Sequence, residues 1–189
     1  VKNYKKGWSN FLLKEHALEG YEEQLEYNEE GEVVLYHVSS TEGLKALSPQ
    51  IARTGIRNYT KKEYRTWDRP RVFFFTRPGQ EDAGVGKIQG KVTYRAEIDK
   101  EKLYPVMRDP LKFSFPENEK EYLNIREATH GMPSYYPINR YEMVATLAER
   151  EGYHGFIYPQ KEGSLIVALW EAIEVTPLEE DFYQIGDSL

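Results

Sequence analysis

The sequence predicts an α+β fold, with a split, mixed or antiparallel β-sheet and helical insertions. Three observations predict it. Apolar runs of strand length stand far apart in the chain, VVLYHV at residues 33–38 and LIVALW at residues 165–170. The helical and strand-like segments between them lack the regular β-α alternation of a doubly wound sheet. Aromatic residues make up 14% of the 189 residues, and 15 of them are tyrosines, which suits a sheet-rich interior with polar-tipped side chains.

The elements follow in order. Lys5 to about Ala17 reads as a short amphipathic helix, with Trp8, Phe11 and Leu12 near helical spacing. Gly20 interrupts it, and Tyr21 to Gly31 is an acidic connector or a second short helix. Residues 1–32 are therefore set apart as an appendage, residues 33–177 as the domain and residues 178–189 as an acidic tail. Val33 to Val38 is the first strand and carries His37 at its end, where a rigid scaffold meets an open loop. Ser39 precedes Glu42 at capping-box spacing, which predicts a helix over Thr41 to Leu47, ended by Pro49. Residues 51–70 form a long basic loop of the kind that serves as a lid or binding loop. Val72 to Thr76 is a short apolar strand expected to be buried on both faces, closed by Arg77-Pro78-Gly79. Gly84, Gly86 and Gly90 mark a hairpin loop; without Walker spacing it has no nucleotide role.

Val92, Tyr94, Ala96 and Ile98 alternate as in a half-buried strand. Leu103 to Pro116, with three prolines, is irregular. Glu117 to Glu127 reads as a helix and residues 128–137 as a loop. Arg140 to Glu151 is the best helix in the chain: Met143, Val144, Leu147 and Ala148 make one apolar stripe, and Gly152 stops it. Residues 154–158, 165–170 and 172–175 read as strands.

Composition narrows the chemistry. The length fits one domain with a real core. Cysteine is absent, so there is no disulfide framework or thiolate chemistry. The four histidines (His16, His37, His130 and His154) have no HxxxH spacing, so no metal centre is expected. No apolar run approaches the roughly 20 residues that span a bilayer, and the basic start lacks the long apolar region of a signal peptide. The chain reads as soluble and cytoplasmic. A formal net charge of −6 argues against general nucleic-acid binding. Glu15 to Glu32 holds eight glutamates, a solvated face and linker. Arg53 to Arg77 holds eight cations against Glu63 and Asp68, either a solvated loop or an anion-binding wall for a pyrophosphate or an RNA backbone.

Four motifs then occur in a telling order. Tyr36-His37-Val38-Ser39 closes the first strand. Val72-Phe73-Phe74-Phe75-Thr76 follows, then Tyr94-Arg95-Ala96-Glu97-Ile98-Asp99. Last comes Gly152-Tyr153-His154-Gly155 with its short strand, a polar turn from Pro159 to Ser164, and the strand from Leu165 to Trp170. None is specific alone. In this order, over residues 33–177, they resemble the ADP-ribosyltransferase superfamily in its histidine-tyrosine-glutamate branch, which includes diphtheria-toxin-like enzymes and poly-ADP-ribose polymerases. Small phage and bacterial members of the class have a similar pattern.

That resemblance implies an ADP-ribosyltransferase-like fold, NAD as substrate, and transfer of ADP-ribose to a protein acceptor with loss of nicotinamide. The transition state resembles an oxocarbenium ion, which a carboxylate stabilises. The resemblance gives His37 the task of fixing the ribose and nicotinamide side. Phe74 stands where the family has tyrosine, keeping a stacking surface without the hydroxyl. Tyr36 would line the same pocket, and Ser39 and Thr76 would flank it at the two strand ends. Arg71, Arg77 and Arg69 would face the pyrophosphate. The family acid falls nearest Ser164, so Glu162 is the first candidate for the catalytic carboxylate and Glu171 the second. Competing readings are a degenerate member that binds NAD, ADP-ribose or a partner without catalysis, removal of an RNA 2′-phosphate on the strength of the basic segment, and a structural protein that docks through the Trp8 helix.

Overall fold

The computed structural model describes residue 18 and residues 20–49, 71–78, 92–130, 140–159 and 164–178. Val33–Ser39 (β1) is the hub, because its consecutive apolar residues Val33, Val34, Leu35 and Tyr36 are buried on both faces. Along the whole of one edge it pairs antiparallel with Val92–Ile98 (β4), from Val33 opposite Ile98 to Ser39 opposite Val92. Along the other it meets Val72–Phe75 (β3), Tyr36 opposite Phe75. Beyond β3 come Leu165–Leu169 (β7), Gly155–Pro159 (β6) and Leu103–Pro105 (β5); beyond β4 comes Thr176–Pro177 (β9). The order is β5-β6-β7-β3-β1-β4-β9, and only the β5–β6 pair is parallel. Ala46–Leu47 (β2) and Ile173–Glu174 (β8) form a separate ribbon. The fold is thus α+β with a mostly antiparallel mixed sheet. The main sheet is continuous where a split one was expected: β3 pairs with both β1 and β7 and closes the gap.

Each face of the sheet has its own core. Val33, Leu35, Val72, Phe74, Tyr94, Ala96, Val167 and Leu169 bury one face, together with Leu18 and Leu25. The residues before Val33 therefore contribute to the core. On the other face Tyr104, Phe156 and Ala168 pack under Arg140–Arg150 (α2) and near Glu119–His130 (α1). The stripe expected on α2 is the one that buries: Met143, Val144, Leu147 and Ala148 are each at most 3% exposed. Gly152, at φ +88°, ends that helix in the left-handed region as expected. Each fully buried aliphatic side chain contributes roughly 1.5–3 kcal/mol.

Gly155 sits at a close approach between strands. A Cβ there would sit 2.5 Å from the Ala168 carbonyl oxygen and also collide with Leu169, so only glycine fits where β6 enters the sheet.

Three expectations give way. The helix over Thr41 to Leu47 does not form. Ser39 Oγ accepts the Thr41 N–H at 3.1 Å, Gly43 takes φ +73°, and Ala46–Leu47 is strand. The Tyr94 hydroxyl donates to Thr41 O at 2.9 Å and accepts the Leu44 N–H at 3.2 Å, taking backbone groups that a first helical turn would use. The Val72–Thr76 run is not buried on both faces throughout, since Phe73 is 44% exposed. Within the irregular stretch, Leu103–Pro105 is a strand, held by its parallel partner β6. Outside the described residues lie the helix expected over Lys5 to Ala17, the long basic loop, the Gly84–Gly90 hairpin, the loop after α1 and the end of the acidic tail.

Candidate functional site

His37 leaves the buried part of β1 half-exposed at the strand's end, with Tyr94 opposite on β4 and Phe74 beside it on β3. The imidazole and Phe74 rings lie 5.5 Å apart, tilted by 55°. His37 Nδ1 is 2.8 Å from Phe73 O. A carbonyl only accepts, so Nδ1 carries the proton and Nε2 is left as an acceptor. Burial lowers the pKa of His37 from its ordinary 6.5, and the bond to Phe73 opposes this less strongly, so the neutral ring is favoured. A neutral imidazole with one nitrogen fixed on a carbonyl can receive a hydroxyl at the other.

The other predicted residues separate. Phe74 is completely buried among Leu35, Tyr94 and Val167, so its ring turns no free face to a ligand; the expected stacking role gives way to a core role. Successive strand residues point to opposite faces. Tyr36 therefore lies across the sheet from His37 instead of lining the same pocket. Its hydroxyl donates to Glu26 Oε2 at 2.6 Å, and burial, with this bond second, pushes its pKa far above the usual 10. Arg71 also lies on that far face, its guanidinium 5.1 Å from the centre of the Phe156 ring. Arg77 reaches the turn Glu22–Gln24, donating to Glu23 O at 2.8 Å. Neither arginine joins His37 in an anion-binding wall. Thr76 is completely buried just past β3. Ser39 stays on the His37 face and uses its Oγ on Thr41.

The acids stand apart as well. Glu171 pairs with His154 Nδ1 at 3.0 Å. That histidine immediately precedes β6, three strands from β1 in the sheet, so Glu171 is not brought to His37. Glu162 and Arg69 lie outside the described residues. Ser164, where the family pattern puts its acid, is buried immediately before β7, and all five residues of β7 are apolar and buried. Among the described residues, no group of three His, Asp or Glu side chains could hold a metal ion.

Sequence reasoning passed over the work of Tyr94. Its ring stands opposite His37, and its hydroxyl fixes the loop that leaves the β1 end. The signal was the pairing of one fully buried tyrosine with a turn-rich Ser-Thr-Glu-Gly segment, since a buried hydroxyl must find partners.

No family model, curated protein or solved structure matches the chain. No helix among the described residues is long and apolar enough to cross a membrane.

Proposed function

We propose that this chain is an NAD-using mono-ADP-ribosyltransferase that modifies a protein acceptor. In this reading, His37 Nε2 accepts a hydroxyl of the ribose beside nicotinamide. The bond from ribose C1 to the pyridinium nitrogen breaks, and its electron pair leaves with neutral nicotinamide. The acceptor side chain bonds to C1 and releases a proton. Glu162 supplies the carboxylate that stabilises positive charge on the sugar. The observation that carries this reading is the half-buried His37 at a strand end, with Nδ1 2.8 Å from Phe73 O and a pKa that burial lowers, which favours the neutral ring.

The test is release of nicotinamide from NAD, together with labelling of a lysate by radiolabelled NAD. Activity is expected for the parent chain and its loss for His37→Ala and Glu162→Gln. Failure of the parent chain to release nicotinamide or label any protein overturns transfer.

A second reading is favoured by the burial of Phe74 and by Ser164 immediately before β7, with no acid on the strand itself. In it the same histidine holds NAD or ADP-ribose without turnover. It predicts a thermal shift with either ligand that His37→Ala abolishes and no release of nicotinamide. No shift with either ligand overturns this reading too.

A further inference from the structure

The β4 edge opens into a cleft. Thr176 pairs with Arg95, Pro177 pairs with Tyr94, and Leu178 donates to Thr93 O at 2.8 Å. The ladder stops there because the preceding chain is held elsewhere. Val175 donates its N–H to Lys45 O at 2.9 Å, and Glu174 pairs with Ala46 in the small ribbon.

Backbone N–H and C=O groups alternate sides along antiparallel strands. Thr93 O points toward β9, so the backbone groups of Arg95 and Glu97 point to that side as well. The register with β1 agrees: Val34, opposite Glu97, uses its N–H on Glu26 O at 2.9 Å, away from β4. Across the gap, Val175 bonds toward β2, so the backbone groups of Glu174 turn the other way. Glu97 and Glu174 thus aim N–H and C=O groups at a common opening, which measures about 850 Å³. Open strand edges of this kind template the pairing of another extended chain.

The walls of the opening choose the partner's charge. Glu32, Glu97 and Glu174 line it against Lys45 and Arg95. Arg95 is held by Glu97 at 2.7 Å, which leaves Lys45 against two carboxylates. We infer that this cleft docks an extended basic peptide segment of a partner protein, which adds a short strand beside Glu97 and sets a lysine or arginine near Glu174 and Glu32. The inference goes beyond the NAD reading and does not depend on it.

The test is an amide-resolved NMR titration of the full chain with three blocked peptides: acetyl-Lys-Val-Lys-Val-Lys-amide, its glutamate counterpart, and the lysine peptide N-methylated at both valines. The lysine peptide is expected to shift the Glu97 and Glu174 amides. Binding should weaken about tenfold for the glutamate peptide, the N-methylated peptide and the Glu174→Lys variant. Glu151→Lys, the same charge change at an exposed site after α2, should bind like the parent. The proposal is overturned if the lysine peptide moves neither amide, if the two charge types bind alike, or if N-methylation has no effect. A self-association that fills the cleft, seen by sedimentation without any peptide response, also overturns it and gives the cleft to a second copy.

Discussion

Two fully buried tyrosines meet the same physical demand in opposite surroundings. Tyr104 on β5 gives its hydroxyl to Asp109, whose carboxylate also takes the N–H groups of Phe113 and Ser114, each at 2.8 Å. Burial, reinforced by that carboxylate, drives the Tyr104 pKa far above 10, so the phenol stays a donor. The result is a closed knot beside the helical layer, with Tyr153 packed edge-on to Tyr104 at 5.0 Å. Tyr94 on β4 instead spends its hydroxyl on Thr41 and Leu44, in the loop next to His37. One phenol fastens packing and the other fastens the rim of the candidate site. Buried polar groups need partners in both places, but only the second choice couples the interior to an accessible imidazole.

Perturbing each side separately sharpens the contrast. The largest effect is expected at Gly155, on the closed side: Gly155→Val drives a side chain into the Ala168 carbonyl and should cost about 3 kcal/mol or more, measured by urea denaturation. Asp109→Ala comes next, at roughly 2–3 kcal/mol, because it strands the Tyr104 hydroxyl and two N–H groups. Its amide exchange should quicken at Phe113 and stay unchanged at Leu44. Tyr94→Phe should cost less, about 1 kcal/mol, with the exchange pattern reversed. Equal exchange changes in both loops for either variant would break the comparison.

The smallest effect concerns pH. Burial lowers the His37 pKa below its unfolded value of 6.5, so the unfolded chain binds the proton more readily. Stability contributed by the neutral ring is present above about 6.5 and is lost as pH falls through the folded pKa. His37→Gln should therefore flatten the fall in melting temperature below pH 6.5. An unchanged pH profile in that variant would remove the assignment of a half-buried neutral imidazole.

Much of the fold was legible because strand alternation and helical stripes are local signals. Val92 to Ile98 alternates, and the β4 it forms spans those residues; the α2 stripe buries where its spacing put it. The failures were long-range. The capping spacing of Ser39 and Glu42 lost to a tyrosine about fifty residues away, and Leu103–Pro105 became a strand only through a partner about fifty residues later. Strand geometry alone already separates part of the expected site. Tyr36 and His37 are neighbours, and Arg71 and Phe74 are three apart, so in strands each pair must point to opposite faces. The expected acid stayed illegible because the late strand carries none of its own and Glu162 lies outside the described residues.

The placement of β3 has a consequence for how the chain is made. Its edges are satisfied by residues near position 36 on one side and near position 167 on the other. A ribosome must therefore release about 130 further residues after the first strand before this seam can shut. Until then VFFFT has one unzipped edge, a sticky stage at which holdase chaperones should find the nascent polypeptide.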